Sequence, residues 1–145
     1  NLREEIEIVF ASGVSSVSKE KISISEEAFS SVISWIVDPL RETLTSAIDE
    51  GDAADVTTRV GAKYREWRNN DLKIALNDAL CATYSQGVLA GAPKGSVMQW
   101  VVEKAGQCVD CDDNALEPTK ANEAFPTGQT YAPAHSGCRC VIAVK

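Results

Sequence analysis

Histidine is nearly missing from this chain: of 145 residues, only His135 is one. A single imidazole cannot build the two-histidine H-E-x-x-H frame of a zinc protease, and that motif is absent. Also absent are the G-x-S-x-G nucleophile elbow, the phosphate-cradling P-loop and the dinucleotide-binding G-x-G-x-x-G. No run of eighteen apolar residues occurs, and no basic, apolar, small-residue signal opens the chain, so a soluble protein without a membrane partner is expected. The chain starts at Asn1 without methionine and enters a helical pattern at once, which fits a piece of a longer polypeptide or a processed form.

Basic charge is also in short supply. Lys and Arg number 14 against 21 Asp and Glu, giving a net charge of −7 and a pI near 4.7. Tight nonspecific binding to nucleic acid needs a basic face, and this balance argues against it. The best local exception is Lys63, Arg65 and Arg68, followed by Lys73. Spaced along an amphipathic helix, these read as a solvated face.

What the chain does have is a crowd of metal ligands in its last quarter. Cys108 and Cys111 form a C-x-x-C, and His135, Cys138 and Cys140 lie in H-S-G-C-R-C. Thiolate and imidazole ligands at these spacings suit a tetrahedral Zn²⁺ site. Four ligands close such a site and five are on offer, so one is spare or supports the others from behind. Cys138 and Cys140 precede the apolar run Val141 to Val144, a predicted strand, and residues two apart on a strand share a face. His135, in the turn just before, competes with either of them. The segment between the two ligand groups, Asp112 to Ala134, is rich in Asn, Pro, Thr and Gly and needs outside help to order. One structural zinc, with binding worth on the order of 10–16 kcal/mol, would supply it.

Other chemistries for these cysteines fit less well. A redox-active C-x-x-C wants a cationic setting, whereas Cys111 is followed by Asp112 and Asp113. Two cross-paired disulfides would leave Cys81, in a helical stretch, without a mate. The zinc deaminase pattern pairs H-x-E with P-C-x-x-C, but here Ser136 and Gly137 follow the histidine and Gln107 precedes Cys108. No acid–base constellation stands in a recognisable frame, so neither an enzyme nor a small-molecule substrate is expected.

The first hundred residues carry helical periodicity. Leu2, Ile6, Val9 and Phe10 mark a first stripe, ending in the Ser/Gly/Lys-rich stretch Ser12 to Lys21. Ser25 is a predicted N-cap for a run through Phe29, Val32, Ile33, Ile36, Leu40, Leu44 and Ile48, which Pro39 should kink or split and Gly51 should close. Asp52 can cap a third helix facing inward with Val56, Val60, Tyr64 and Trp67. After Asn69, Asn70 and Asp71, the stripe Leu72, Leu76, Leu80, Tyr84 and Val88 predicts a fourth, with these residues as core. Gly91, Pro93 and Gly95 then shift the pattern to short extended runs. Val97 to Val102 reads as a strand leading into Cys108, and Arg139 to Val144 as its antiparallel partner. The expected architecture is therefore mainly α (α+β): a helical region over 1–95, then a β-hairpin with a zinc-knuckle-like Cys/His knot over 96–145, together one compact domain. With 44% hydrophobic residues, the chain can bury a real core.

A tryptophan strand, a C-x-x-C, a Phe-Pro loop and a closing H-x-x-C-R-C before a last apolar strand resemble the C-terminal half of the phage Mu F-like minor head proteins. The residues that carry the resemblance are Trp100, Cys108, Cys111, Phe125, Gly128, Pro133, His135, Cys138, Arg139 and Cys140, over about 45 positions. The helix Leu72 to Ala90 stands where that family has a long helix. Two positions depart: Ser136 replaces the usual proline after the histidine, and Leu76, Asn77 and Asp78 replace an Arg-Thr-Glu-like triplet. The resemblance implies a head-morphogenesis component of a tailed phage or prophage, located in the virion and the bacterial host cytoplasm. It implies portal and capsid proteins as partners, and packaged DNA as a further one. Two other classes fit less well: a domain of a phage-associated toxin or effector, and a nucleic-acid-binding zinc module. For the second, residues 96 to 145 hold four Lys/Arg against six Asp/Glu, and only Arg139 is suitably placed, where it more simply bonds turn carbonyls or Asp110, Asp112 or Asp113.

Overall fold

A computed structural model describes residues 1–104 and 108–145. Helix α1 (Leu2–Ser15) opens with the Asn1 side chain accepting the Arg3 N–H at 3.0 Å. Helix α2 (Glu26–Asp49) starts at the predicted cap, where Ser25 Oγ accepts the Ala28 N–H at 3.1 Å. These side chains satisfy backbone donors that the first helical turn leaves without partners. Helix α2 runs as one helix through Pro39, so the expected split into two helices does not occur. Pro39 lies on the exposed side, where the lost backbone bond costs least. A single 3₁₀ turn, Ala53–Asp55, capped by Asp52, leads into α3 (Val56–Asn70).

Helix α4 (Leu72–Gly91) is the hub, packed against α1, α2, α3 and the sheet. Its buried face is not the leucine stripe. Leu80 is 38% exposed, Leu72, Leu76 and Tyr84 are half-buried, and of the predicted set only Val88 is fully enclosed. Small and polar residues are buried instead: Ala75, Asp78, Ala79, Ala82, Thr83, Ser85, Gln86, Gly87 and Gly91. The reason is the backbone approach of α1. A Cβ on Gly87 would run into the Phe10 carbonyl, and one on Gly13 into that of Tyr84. A helix gripped this closely can bury only small side chains on the gripped face, so its leucines rotate toward the rim. Helix α3 differs likewise: Trp67 is buried but Tyr64 is 43% exposed.

The C-terminal part forms a three-stranded antiparallel sheet in the order β2–β1–β3, from β1 (Val97–Val101), β2 (Thr119–Lys120) and β3 (Val141–Val144). Between β1 and β2 lies α5 (Val109–Leu116). The expected pairing of the tryptophan strand with the terminal strand is present, with Met98 opposite Val144 and Trp100 opposite Ile142. Opposed residues share a face, so Met98, Trp100 and Ile142 turn inward together and are buried. With Val88, Phe125 and three of the cysteines they form one core cluster, while Ile6, Phe10, Val14, Ile24, Val32, Ala79 and Ala82 form the other. Helix α4 contributes to both. Trp100 and Phe125 meet edge to face with centroids 5.0 Å apart.

The polar segment between the ligand groups is better anchored than its composition suggests. Asn114, fully buried on α5, accepts the Thr127 N–H at 3.0 Å and donates to Thr127 Oγ1 at 2.8 Å. Phe125 donates its N–H to the Gln129 carbonyl at 2.8 Å.

Candidate metal centre

Three elements meet at the cysteines. Cys108 occupies the N-cap position of α5, which puts Cys111 in its first turn facing inward. The residues 105–107 expected to carry a strand into Cys108 lie outside the described residues; β1 itself ends at Val101. His135, Cys138 and Cys140 come from the segment preceding β3.

All five predicted ligands converge. The donor atoms of Cys108, Cys111 and His135 lie within 4.8 Å of one another, as do those of Cys111, Cys138 and Cys140. Cys111 is thus the shared member. His135 Nε2 lies 2.9 Å from Cys108 Sγ and 3.8 Å from Cys111 Sγ, and Cys111 Sγ lies 3.3 Å from Cys138 Sγ. The cysteines are free thiols, and 3.3 Å is far beyond a disulfide bond of about 2.05 Å. Cys111, Cys138 and Cys140 are buried, while Cys108 and His135 are half-buried beside a cavity of about 500 Å³ with Glu103 and Arg139 at its edge.

The electrostatics distinguish the thiols. At Cys108 the backbone N–H of Cys111 holds the pKa below the usual thiol value, and the His135 side chain adds to this. Burial works against the Cys138 thiolate but is outweighed by the backbone N–H groups of Ala134 and Cys140, so its pKa is also lowered. Burial, then the neighbouring thiols, push Cys111 up, and burial raises Cys140 too. The indole N–H of Trp100 works the other way at Cys140, favouring its thiolate; that N–H is otherwise buried without a partner. His135 is raised, first by its bond to the Ser136 carbonyl and then by Cys108.

The residues present fit a thiophilic metal ion. His135 Nδ1–H donates to the Ser136 carbonyl at 2.9 Å, so Nε2 faces the cysteines and, on losing its proton, would offer its lone pair to a metal there. Such an outer bond is what fixes the tautomer of metal-binding histidines. Backbone N–H groups meet Cys108 and Cys138, the latter from Cys140 at 3.5 Å, and offset part of the charge that thiolates bring to a metal. The Cys/His group can therefore bind a metal ion.

One participant was missed in the sequence. Asp78 of α4 is 1% exposed and accepts the Gly137 N–H at 3.0 Å and the Ser136 hydroxyl at 3.0 Å, inside the turn that joins His135 to Cys138. Asp78 is the only acid of α4, and that was the available signal. One expectation is corrected. Among the described residues, Arg139 pairs with Glu103 at 3.3 Å, both exposed, and not with the expected Asp110, Asp112 or Asp113. Cys81 stays outside the cluster on α4, its thiol pushed up to about 11 chiefly by burial. The basic residues Lys63, Arg65 and Arg68 are exposed on α3, where Lys63 pairs with Glu66 at 3.2 Å. Among the described residues, no helix is long and apolar enough to cross a membrane.

No family model, no curated protein and no solved structure matches the chain.

Proposed function

We propose that this chain is a minor head or morphogenesis component of a tailed phage or prophage, a structural protein whose C-terminal third is fixed by one structural Zn²⁺. One observation carries the reading: the C-x-x-C at the head of α5 and the H-x-x-C-R-C before β3 come together, and the tryptophan strand pairs with the terminal strand. This is the arrangement behind the resemblance to the Mu F-like proteins. Four donors packed around a fifth, Cys111, favour a closed structural site over a catalytic one, which keeps a position open for water or substrate. In this role the helices provide surface for portal and capsid proteins, and the protein resides in the virion and, before assembly, in the host cytoplasm.

The test is made on particles. Heads of the phage or induced lysogen that encodes the chain are purified on a density gradient and assayed by targeted mass spectrometry for its peptides. A few copies per head, in fixed ratio to the portal, support the assignment. Abundance in the lysate with absence from heads and their precursors would sink it. The nucleic-acid reading has less behind it, since the chain carries a net charge of −7 and Arg139, the basic residue within the ligand segment, is paired with Glu103. Anisotropy titration with double-stranded DNA at low salt separates the two, because micromolar or tighter binding is expected only of a nucleic-acid module.

A further inference from the structure

We propose that Asp78 is the positioning residue of the metal centre, holding from the helical bundle the turn whose two ends supply the ligands His135 and Cys138. The inference rests on the metal-binding reading above and assigns to that site a residue outside its sulfur and nitrogen donors.

The turn is compact. Cys138 donates its N–H to the His135 carbonyl at 3.2 Å, closing four residues, and Gly137 sits at φ +77°, a conformation that favours glycine. That conformation presents the Gly137 N–H to α4, where it meets both carboxylate oxygens of Asp78 at 3.0 Å. The Ser136 hydroxyl donates to Oδ2 of the same carboxylate at 3.0 Å. One carboxylate therefore grips the two middle residues of a turn whose first and last residues carry donors of the cluster. The Ser136 carbonyl, in the same gripped unit, accepts from His135 Nδ1 and orients the imidazole.

Two physical points make this more than a packing contact. A buried carboxylate is tolerated only when hydrogen bonds or a cation compensate it, and among the described residues Asp78 has no salt bridge. Its compensation comes from the ligand turn, so turn and carboxylate specify each other. Asp78 is also anchored on α4, which packs against α1, α2, α3 and the sheet, whereas Ser136 and Gly137 are exposed. Rigid support of this kind sets how well ligands are preorganised, and its removal from metal sites typically weakens binding about 10–100-fold.

The experiment compares the full chain as wild type, Asp78→Ala, Asp78→Asn and Ser136→Ala. Zn²⁺ affinity is measured by competition with a chromophoric chelator at pH 7, the Co²⁺-loaded proteins are compared by visible absorption, and far-ultraviolet circular dichroism reports the helices. The expected result is an affinity about 10–100-fold lower for Asp78→Ala, with a changed Co²⁺ spectrum. Smaller losses are expected for Asp78→Asn, which keeps one acceptor oxygen, and for Ser136→Ala, which removes one donor at the surface. Wild-type affinity and spectrum in folded variants would overturn the proposal, and should Asp78→Ala fail to fold, the same comparison on Asp78→Asn and Ser136→Ala decides it. Absence of metal binding in the wild type would overturn the metal reading itself, and this inference with it.

Discussion

Nε2 of His135 lies 2.9 Å from Sγ of Cys108, the half-buried thiol at the head of α5. In the metal-free protein this contact and the Cys111 N–H favour the Cys108 thiolate. A lowered pKa means that the thiolate persists at pH values where an ordinary thiol is protonated, and is lost only as pH falls through the lowered value. With chelator at pH 7, Cys108 is therefore expected to be alkylated first by iodoacetamide, ahead of the buried Cys111, Cys138 and Cys140 and the raised Cys81. Peptide mapping after timed quenching checks the order, and added Zn²⁺ should suppress the reaction. Uniform labelling of all five cysteines would contradict it.

Metal content follows from the donor set. Protein purified without added metal is expected to hold about one zinc per chain and, once denatured, to show five titratable thiols. Elemental mass spectrometry with a thiol assay reads both. No metal together with a single free thiol would mean two disulfides and a different protein chemistry.

Replacing Cys108 or Cys138 with serine should release the C-terminal third while sparing most of α1 to α4. Binding to structural zinc sites is worth on the order of 10–16 kcal/mol, and each of these variants loses a donor beside the shared Cys111. Trp100 fluorescence and thermal melting should change strongly while helical circular dichroism falls modestly. Melting unchanged in both variants would show that the site does not hold the fold.

Helix packing gives a contrast between two neighbours on α4. Gly87→Ala drives a methyl into the Phe10 carbonyl and should cost about 1–3 kcal/mol, the usual range for overpacking. Leu80→Ala, at 38% exposure, should cost less than about 1 kcal/mol despite its place in the leucine stripe. Urea unfolding of both variants tests the pair, and the reverse ranking would mean that the leucines carry the core.

The ligands were legible because spacing alone restricts where thiols and an imidazole can go. C-x-x-C fits one turn of chain, and Cys138 and Cys140 are forced onto one side by the two-residue period of extended backbone. The helix start at Ser25 was legible for a related reason, since a cap is a bond between residues two or three apart; Asp52 also caps, but it caps the 3₁₀ turn before α3 and not α3 itself. The leucine stripe misled because helical period identifies a face without saying what will press against it. Glycine at 13 and 87 lets two backbones touch, and that contact chose the small face of α4 for burial.

The local features follow from the sequence alone: the Ser25 cap, the types of α1 to α4, β1 and β3, and the set of five donors, fixed by interactions between near neighbours or by repeating geometry, whereas α5 and β2 were not legible there. The tertiary structure decided which face of α4 is enclosed, that Arg139 turns to Glu103, that Asn114 orders the long segment, and that Asp78 reaches across 59 positions to the Gly137 amide. These depend on which surfaces meet, and a meeting of distant surfaces is set by the combined packing of every element, which no window of sequence contains.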